Sequence, residues 1–270
     1  MIAFVAATQA VENGDGFFFR RLVYGDGLQS SFQCGIFFDI LLILGICRGT
    51  YKPYLSPCQH RLENIRRIYR TLCRTCSLPW SEEHQALYDS ISQSLWAQLD
   101  RGQVTKEFLV VERFRRYLSR LGLPGDPAEC NRVYLEALGR SAVLLPHALE
   151  VCRTLAQDHR LYIITNAVAS VQRARLSQSA ITPYIQGAFI SEEAGAAKPS
   201  RAYFDYVLSH LPGVRPEECL VVGDSLSSDI QGANNAGLPC CWFNRTGAPQ
   251  PKGLRIDYEI TSLPQLLEIT

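Results

Sequence analysis

Apolar and polar residues follow two periods along this chain. After residue 144, short apolar runs recur at 161–165, 187–190, 220–222, 240–243 and 258–260. Each is too short for a helix and is bounded by glycine or polar residues, so each predicts a buried strand. Helical spacing fills the intervals. Pro146 opens one helix, residues 169–178 form another, and Ser200 is placed to cap a third that carries Tyr203, Phe204, Val207 and Leu208. Residues 263–269 close the chain as a helix. Strands and helices alternating at this length predict an α/β fold, a doubly wound parallel sheet covered on both faces with right-handed crossovers.

Upstream the pattern is helical from residue 81 to about 140. Leu87, Ile91, Leu95 and Leu99 make one apolar stripe, Gly102 breaks it, and Phe108, Val111, Phe114 and Leu118 make the next. Gly122 and Pro124 stop that helix. Asp126, Pro127, Ala128 and Glu129 read as a capping box with proline at the first helical position. Trp80, Trp96 and Tyr117 are expected in a helical core. Before these helices, Ile36, Phe37, Phe38 and Asp39 predict the first strand of the sheet, ending in Asp39; the apolar run 40–44 also allows the strand to continue to Gly45. Residues 45–78 are basic and rich in cysteine, yet Leu62, Ile65, Tyr69, Leu72 and Cys76 keep helical spacing. Residues 2–7 are apolar but short, with no basic stretch before them, and do not read as a signal peptide.

Composition narrows the function. The 270 residues suffice for one large domain or for a core domain plus an insertion, and a net charge of +1 with 20% charged residues leaves no electrostatic footprint for nucleic acid or an acidic membrane. No apolar run approaches the length of a bilayer span. The ten cysteines show no paired metal-ligand spacing; Cys73 and Cys76 form the one CxxC, read as part of a helix face. Reduced thiols and a cytoplasmic location are the expectation.

The chemistry concentrates at residues 219–244. Asp224 ends an apolar strand and Asp229 follows five residues later, before a short helix stopped by Gly237. Carboxylates beyond a parallel strand's carboxyl end make a hard oxygen site suited to Mg²⁺; the plainer reading is a turn aspartate and a helix-capping one. The stretch GDSLSSDIQGANNAG resembles the fourth motif of the haloacid dehalogenase-like hydrolase superfamily, mostly Mg²⁺-dependent phosphatases. Residues 161–166, Leu-Tyr-Ile-Ile-Thr-Asn, resemble its second motif, and Lys198 with Pro199 its third. Within the superfamily, ISEEAGAAKPSRAYFDYVL and GLPCCWFN are similar to the bacterial pyrimidine 5′-nucleotidases.

The resemblance implies a Rossmann-like core over residues 36–45 and 141–270, a small inserted helical cap over 46–140, and a poorly ordered extension over 1–35. It implies that Asp39 attacks phosphorus to form an aspartyl-phosphate, that Thr165, Asn166 and Lys198 hold the phosphate, and that Asp39, the backbone carbonyl of Leu41, Asp224 and Asp229 hold Mg²⁺. The implied substrate is a small phosphate ester, a pyrimidine nucleoside monophosphate. One motif departs from the pattern. The family's acid–base aspartate, two residues after the nucleophile, is replaced by Leu41, and its threonine position by Ile43. A general acid–base is worth ~10²–10⁴-fold, so the loss implies a slowed enzyme. Two explanations stand: a reading-frame disruption over residues 40–78, against which the helical spacing speaks, or a member that binds a nucleotide or partner without catalysing. Dehalogenase chemistry does not suit the intact Asp224 and Asp229. Phosphonate hydrolysis needs a cap lysine, for which Lys52 and Lys106 are the candidates.

Overall fold

The strands downstream of residue 160 form where the apolar runs place them. The computed structural model describes residues 2–3, 39–41 and 59–270. The basic stretch before Gln59, with Lys52, and the strand expected at 36–38 lie outside them. Strand β1 is Ile2–Ala3 and β2 is Asp39–Leu41. Four helices follow: α1 Gln59–Thr75, α2 Glu82–Asp100, α3 Lys106–Leu121 and α4 Pro127–Gly139. Then come α5 Ala148–Leu155, β3 Leu161–Thr165, α6 Ala169–Leu176, β4 Ile185–Ile190, α7 Ser191–Ala194, α8 Arg201–Ser209 and β5 Cys219–Gly223. A π-helical turn over Leu226–Ile230 leads into α9 Gln231–Ala236, followed by β6 Cys240–Phe243, β7 Tyr258–Ile260 and α10 Leu266–Ile269.

Parallel pairing runs β2-β5-β6-β7 in one ladder and β3-β4 in another, with β1 antiparallel on β3. Every residue of β5 and β6 is buried, which is why both are unbroken apolar runs rather than alternating ones. Gly187 in β4 faces Tyr162 across the ladder, where a Cβ would sit 3.3 Å from the ring. The sheet and its helices share one buried cluster that includes Val151, Ile163, Ile164, Tyr203, Phe204, Val221 and Val222.

Helices α1 to α4 have a separate cluster built on Tyr69, Leu72, Tyr88, Phe114, Tyr117 and Val133. The rings of Tyr88 and Tyr117 meet edge to face at 5.9 Å. Three expectations change here. Phe108 is 44% exposed, and Leu109, Phe114, Tyr117 and Leu118 are the buried stripe of α3. Trp80 is 38% exposed and stacks under the Arg70 guanidinium at 4.5 Å rather than entering the core. Asp126 caps α4 through Ala128 N, but Glu129 pairs with Arg132, so no reciprocal box forms. Ile2 and Ala3 pair with β3. No helix among the described residues is long and apolar enough to cross a membrane.

Asp89 in α2 carries a pH dependence. Burial pushes its carboxyl up to about 6, with Gln85 opposing. The folded value lies above the unfolded one, so folding favours the protonated form. Stability therefore falls as pH rises from about 4 to 6 and stays reduced above that. Asp89→Asn should raise stability at pH 7 by about 1–2 kcal/mol, a figure discounted for partial exposure. Thermal denaturation of both proteins checks it; the two curves should converge below about pH 4, and a gain that persists there would refute the assignment.

Candidate active site at the strand ends

The carboxyl ends of β3 and β5 bring together residues far apart in sequence. Thr165 is the last residue of β3 and is fully buried. Its N–H donates to Tyr203 Oη at 3.0 Å, and its hydroxyl oxygen accepts from Ala167 N at 3.0 Å, which turns the chain out of the strand. Tyr203 Oη in turn donates to Phe189 O at 2.6 Å, tying β3 to β4.

Asn166 and Lys198 lock to each other. The Asn166 side-chain amide donates to Lys198 O at 2.8 Å and accepts from Lys198 N at 3.0 Å. The Lys198 side chain is 1% exposed, and its ammonium donates to Ile164 O at 3.1 Å and to Asp229 Oδ1 at 2.7 Å. An ammonium has three N–H groups. The third has no acceptor among the described residues. Asp229 is fully buried on the π-helical turn, and its other oxygen accepts from Ser225 N at 3.0 Å. Both Asp229 oxygens are thus engaged by protein. Those bonds fix Lys198 and the turn after β5.

Asp224 directly follows β5 and is half-buried, with its backbone carbonyl accepting from Trp242 Nε1 at 3.4 Å. It is the carboxylate of the implied magnesium set that stands at the strand ends. Two members of that set, Asp39 and Leu41, are set back along β2. Asp39 is level with Cys219 and Leu41 with Val221. Asp39, the first described residue of its strand, is thus five positions short of Asp224, about 16 Å along a parallel strand. Leu41 and its carbonyl are three positions short, about 10 Å. At the level of Thr165 the neighbouring strand is β1, with Ile2 opposite Thr165 and Ala3 opposite Ile164. Both short strands lie between β3 and β5, since β1 also contacts β5 and β2 also contacts β3. Among the described residues no three His, Cys, Asp or Glu side chains converge as a metal site.

A residue from the cap reaches the same ends. Lys106, the first of α3, donates to Ser191 Oγ at 2.8 Å and to Ala167 O at 3.3 Å, and pairs with Glu192 Oε1 at 3.2 Å. Burial lowers the pKa of its ammonium, and Glu192 opposes that shift. Sequence reasoning noted Lys106 only as one of two cap lysines.

Residues 71–237 match the family model described as haloacid dehalogenase-like hydrolase. The chain belongs to the haloacid dehalogenase-like hydrolases. The match begins beyond Asp39 and Leu41. This family member is 34% identical to the HAD hydrolase YfnB of Bacillus subtilis, over 74% of its own length and 85% of the relative's. It is 31% identical to the pyrimidine 5′-nucleotidase YjjG of Escherichia coli, over 72% of its length and 85% of that protein's. The pyrimidine 5′-nucleotidase PynA of Streptococcus pneumoniae is likewise 31% identical, over 69% and 79%. In three dimensions it is similar to the crystal structure of YfnB bound to magnesium, which reveals interdomain movement; the TM-score is 0.74 at 32% identity, covering 77% of this chain and 92% of that one. The fold is thus the Rossmann-like α/β core of this family, and the protein is a HAD-family hydrolase related to pyrimidine 5′-nucleotidases.

Proposed function

We propose that this hydrolase binds phosphate monoesters, pyrimidine nucleoside 5′-monophosphates in particular, and hydrolyses them at a strongly reduced rate. The observation that carries the reading is the buried Lys198 ammonium, held by Ile164 O and Asp229 and with its third N–H unmatched among the described residues. A buried cation beside a strand end with one donor direction left over suits a phosphate oxygen. Thr165 and the backbone N–H of Asn166 are next to it in the chain's fold and supply further donors. Likeness to YjjG and PynA, both pyrimidine 5′-nucleotidases, supports the substrate class.

Turnover is the weaker half of the function. In the proposed reaction Asp39 attacks phosphorus and the bond to the nucleoside 5′-oxygen breaks, that oxygen taking a proton from water; a second water then cleaves the aspartyl-phosphate to release phosphate. Asp224 would hold Mg²⁺, which would supply charge neutralisation. The register of β2 sets Asp39 well short of the phosphate-binding donors, so attack requires that strand to slide towards the site. That observation favours a second reading, a member that binds its nucleotide without turning it over. Leu41 is level with Val221, three positions short of Asp224, so Leu41→Asp sets its carboxylate back from the site. The substitution should restore no activity.

A phosphate-release panel with UMP, dTMP, glucose 6-phosphate and p-nitrophenyl phosphate tests both halves. Nucleotides should be preferred to the sugar phosphate. Nitrophenyl phosphate, whose leaving group needs no proton, should be the least impaired. Equal rates on UMP and glucose 6-phosphate would remove the nucleotide assignment. A gain of more than about tenfold in Leu41→Asp, on the scale of a general acid, would show that Leu41 does stand at the site. Tight UMP binding with no release from any substrate would leave the binding reading in its place.

A further inference from the structure

Lys106 is in an electrostatically poor place for its own helix. A cation at the first position of α3 opposes the helix dipole, and Thr105 already caps the helix through Phe108 N at 3.3 Å. Its long side chain is nonetheless held at 11% exposure. All three ammonium donors have acceptors: Ala167 O, Ser191 Oγ and Glu192 Oε1. Those acceptors belong to two loops of the sheet. Ala167 follows Asn166 after β3, and Ser191 and Glu192 open α7 directly after β4. The other Glu192 oxygen accepts from Ala169 N, the first residue of α6, at 2.9 Å. One cap lysine therefore joins, through a single carboxylate, the start of α6 to the start of α7.

We propose that Lys106 is the clasp that seats the helical cap on the two strand-end loops, and that by holding Ala167 and Glu192 it positions the loop carrying Thr165 and Asn166 for phosphate. It is a positioning residue: with its three donors engaged it has none left for a substrate. The helices it belongs to have their own buried cluster, so loosening the clasp leaves both cores packed. The seating follows from the contacts alone; the effect on phosphate rests on the proposed function.

The test compares the full chain with Lys106→Met and Lys106→Arg by amide hydrogen exchange and by titration with inorganic phosphate. In Lys106→Met, exchange at Ala167 to Ala169 should accelerate and phosphate affinity should fall, each by about tenfold, within the range of couplings between linked sites. Lys106→Arg should recover part of both, since it keeps the charge and several donors. Amides of β5 and β6 should keep their protection. Unchanged exchange at Ala169 in Lys106→Met would overturn the clasp. Acceleration spread equally over β5 and β6 would overturn it too, by showing plain destabilisation. Faster loop exchange with unaltered phosphate affinity would overturn the positioning role while the clasp stands. If the parent chain itself binds no phosphate, the proposed function fails, and the exchange arm still decides the clasp.

Discussion

Replacing Asp229 with alanine should destabilise the protein by about 3–5 kcal/mol, the cost of breaking a buried ion pair from one side. Asp229 and Lys198 are 0% and 1% exposed at their side chains and 2.7 Å apart. Removing the carboxylate leaves an ammonium in the core with Ile164 O as its remaining acceptor among the described residues, and it frees the Ser225 N–H that Asp229 also accepts. In a chain of this size the loss corresponds to a drop in Tm of roughly 10 °C or more. Thermal denaturation measures it. The double variant Lys198→Met with Asp229→Leu should recover much of the lost stability, because apolar residues of similar volume replace a buried pair at little net cost. It should not recover phosphate binding, for which the proposed function needs the Lys198 charge. A single Asp229→Ala variant within about 1 kcal/mol of the parent would mean that water reaches the pair and that Lys198 is not the buried cation described here.

Gly232→Ala should also destabilise, against the usual sign for a helical glycine. Alanine ordinarily gains up to about 1 kcal/mol over glycine within a helix. Here a Cβ on Gly232 would overlap Phe204 Cε2 and lie 2.8 Å from Phe204 Cζ and 3.2 Å from Pro199 Cα. Phe204 is 1% exposed in the main core, and Pro199 is backbone directly after Lys198, so neither neighbour yields freely. Overpacking of this kind costs about 1–3 kcal/mol, which outweighs the helix gain. Displacing Pro199 also disturbs Lys198, so phosphate affinity should fall together with Tm. A rise in Tm on Gly232→Ala would show that α8 and α9 pack more loosely than described.

These two sites differ in how far they were legible. The strand-end positions of Thr165 and Asp224 follow from short apolar runs ending in polar residues, a local signal, and β3, β6 and β7 fall at the residues the runs mark. The same holds for Ser200, which caps α8 through Tyr203 N. Gly232 gives no such sign. A glycine in a short helix is unremarkable until Phe204 and Pro199 are brought beside it.

By itself the sequence determined the alternation of strands and helices, the separate helical stripes of the cap, and the order of Thr165, Lys198 and Asp224 along the sheet. Each of these is set within a few residues by side-chain period, turn chemistry or strand length. Tertiary structure decided the rest. The hydrogen bonds between Asn166 and Lys198 span 32 residues, the ion pair between Lys198 and Asp229 spans 31, and Lys106 reaches Ala167 across 61 and Ser191 across 85. The level of Asp39 against β5 is of the same kind. An apolar run states that a strand is buried, but its register depends on which neighbours compete for the slot, and here Ile2–Ala3 and Asp39–Leu41 share it. Period-two patterning fixes a strand's face, and a run apolar on both faces has no face to fix, so only packing against β3 and β5 could set where it stops.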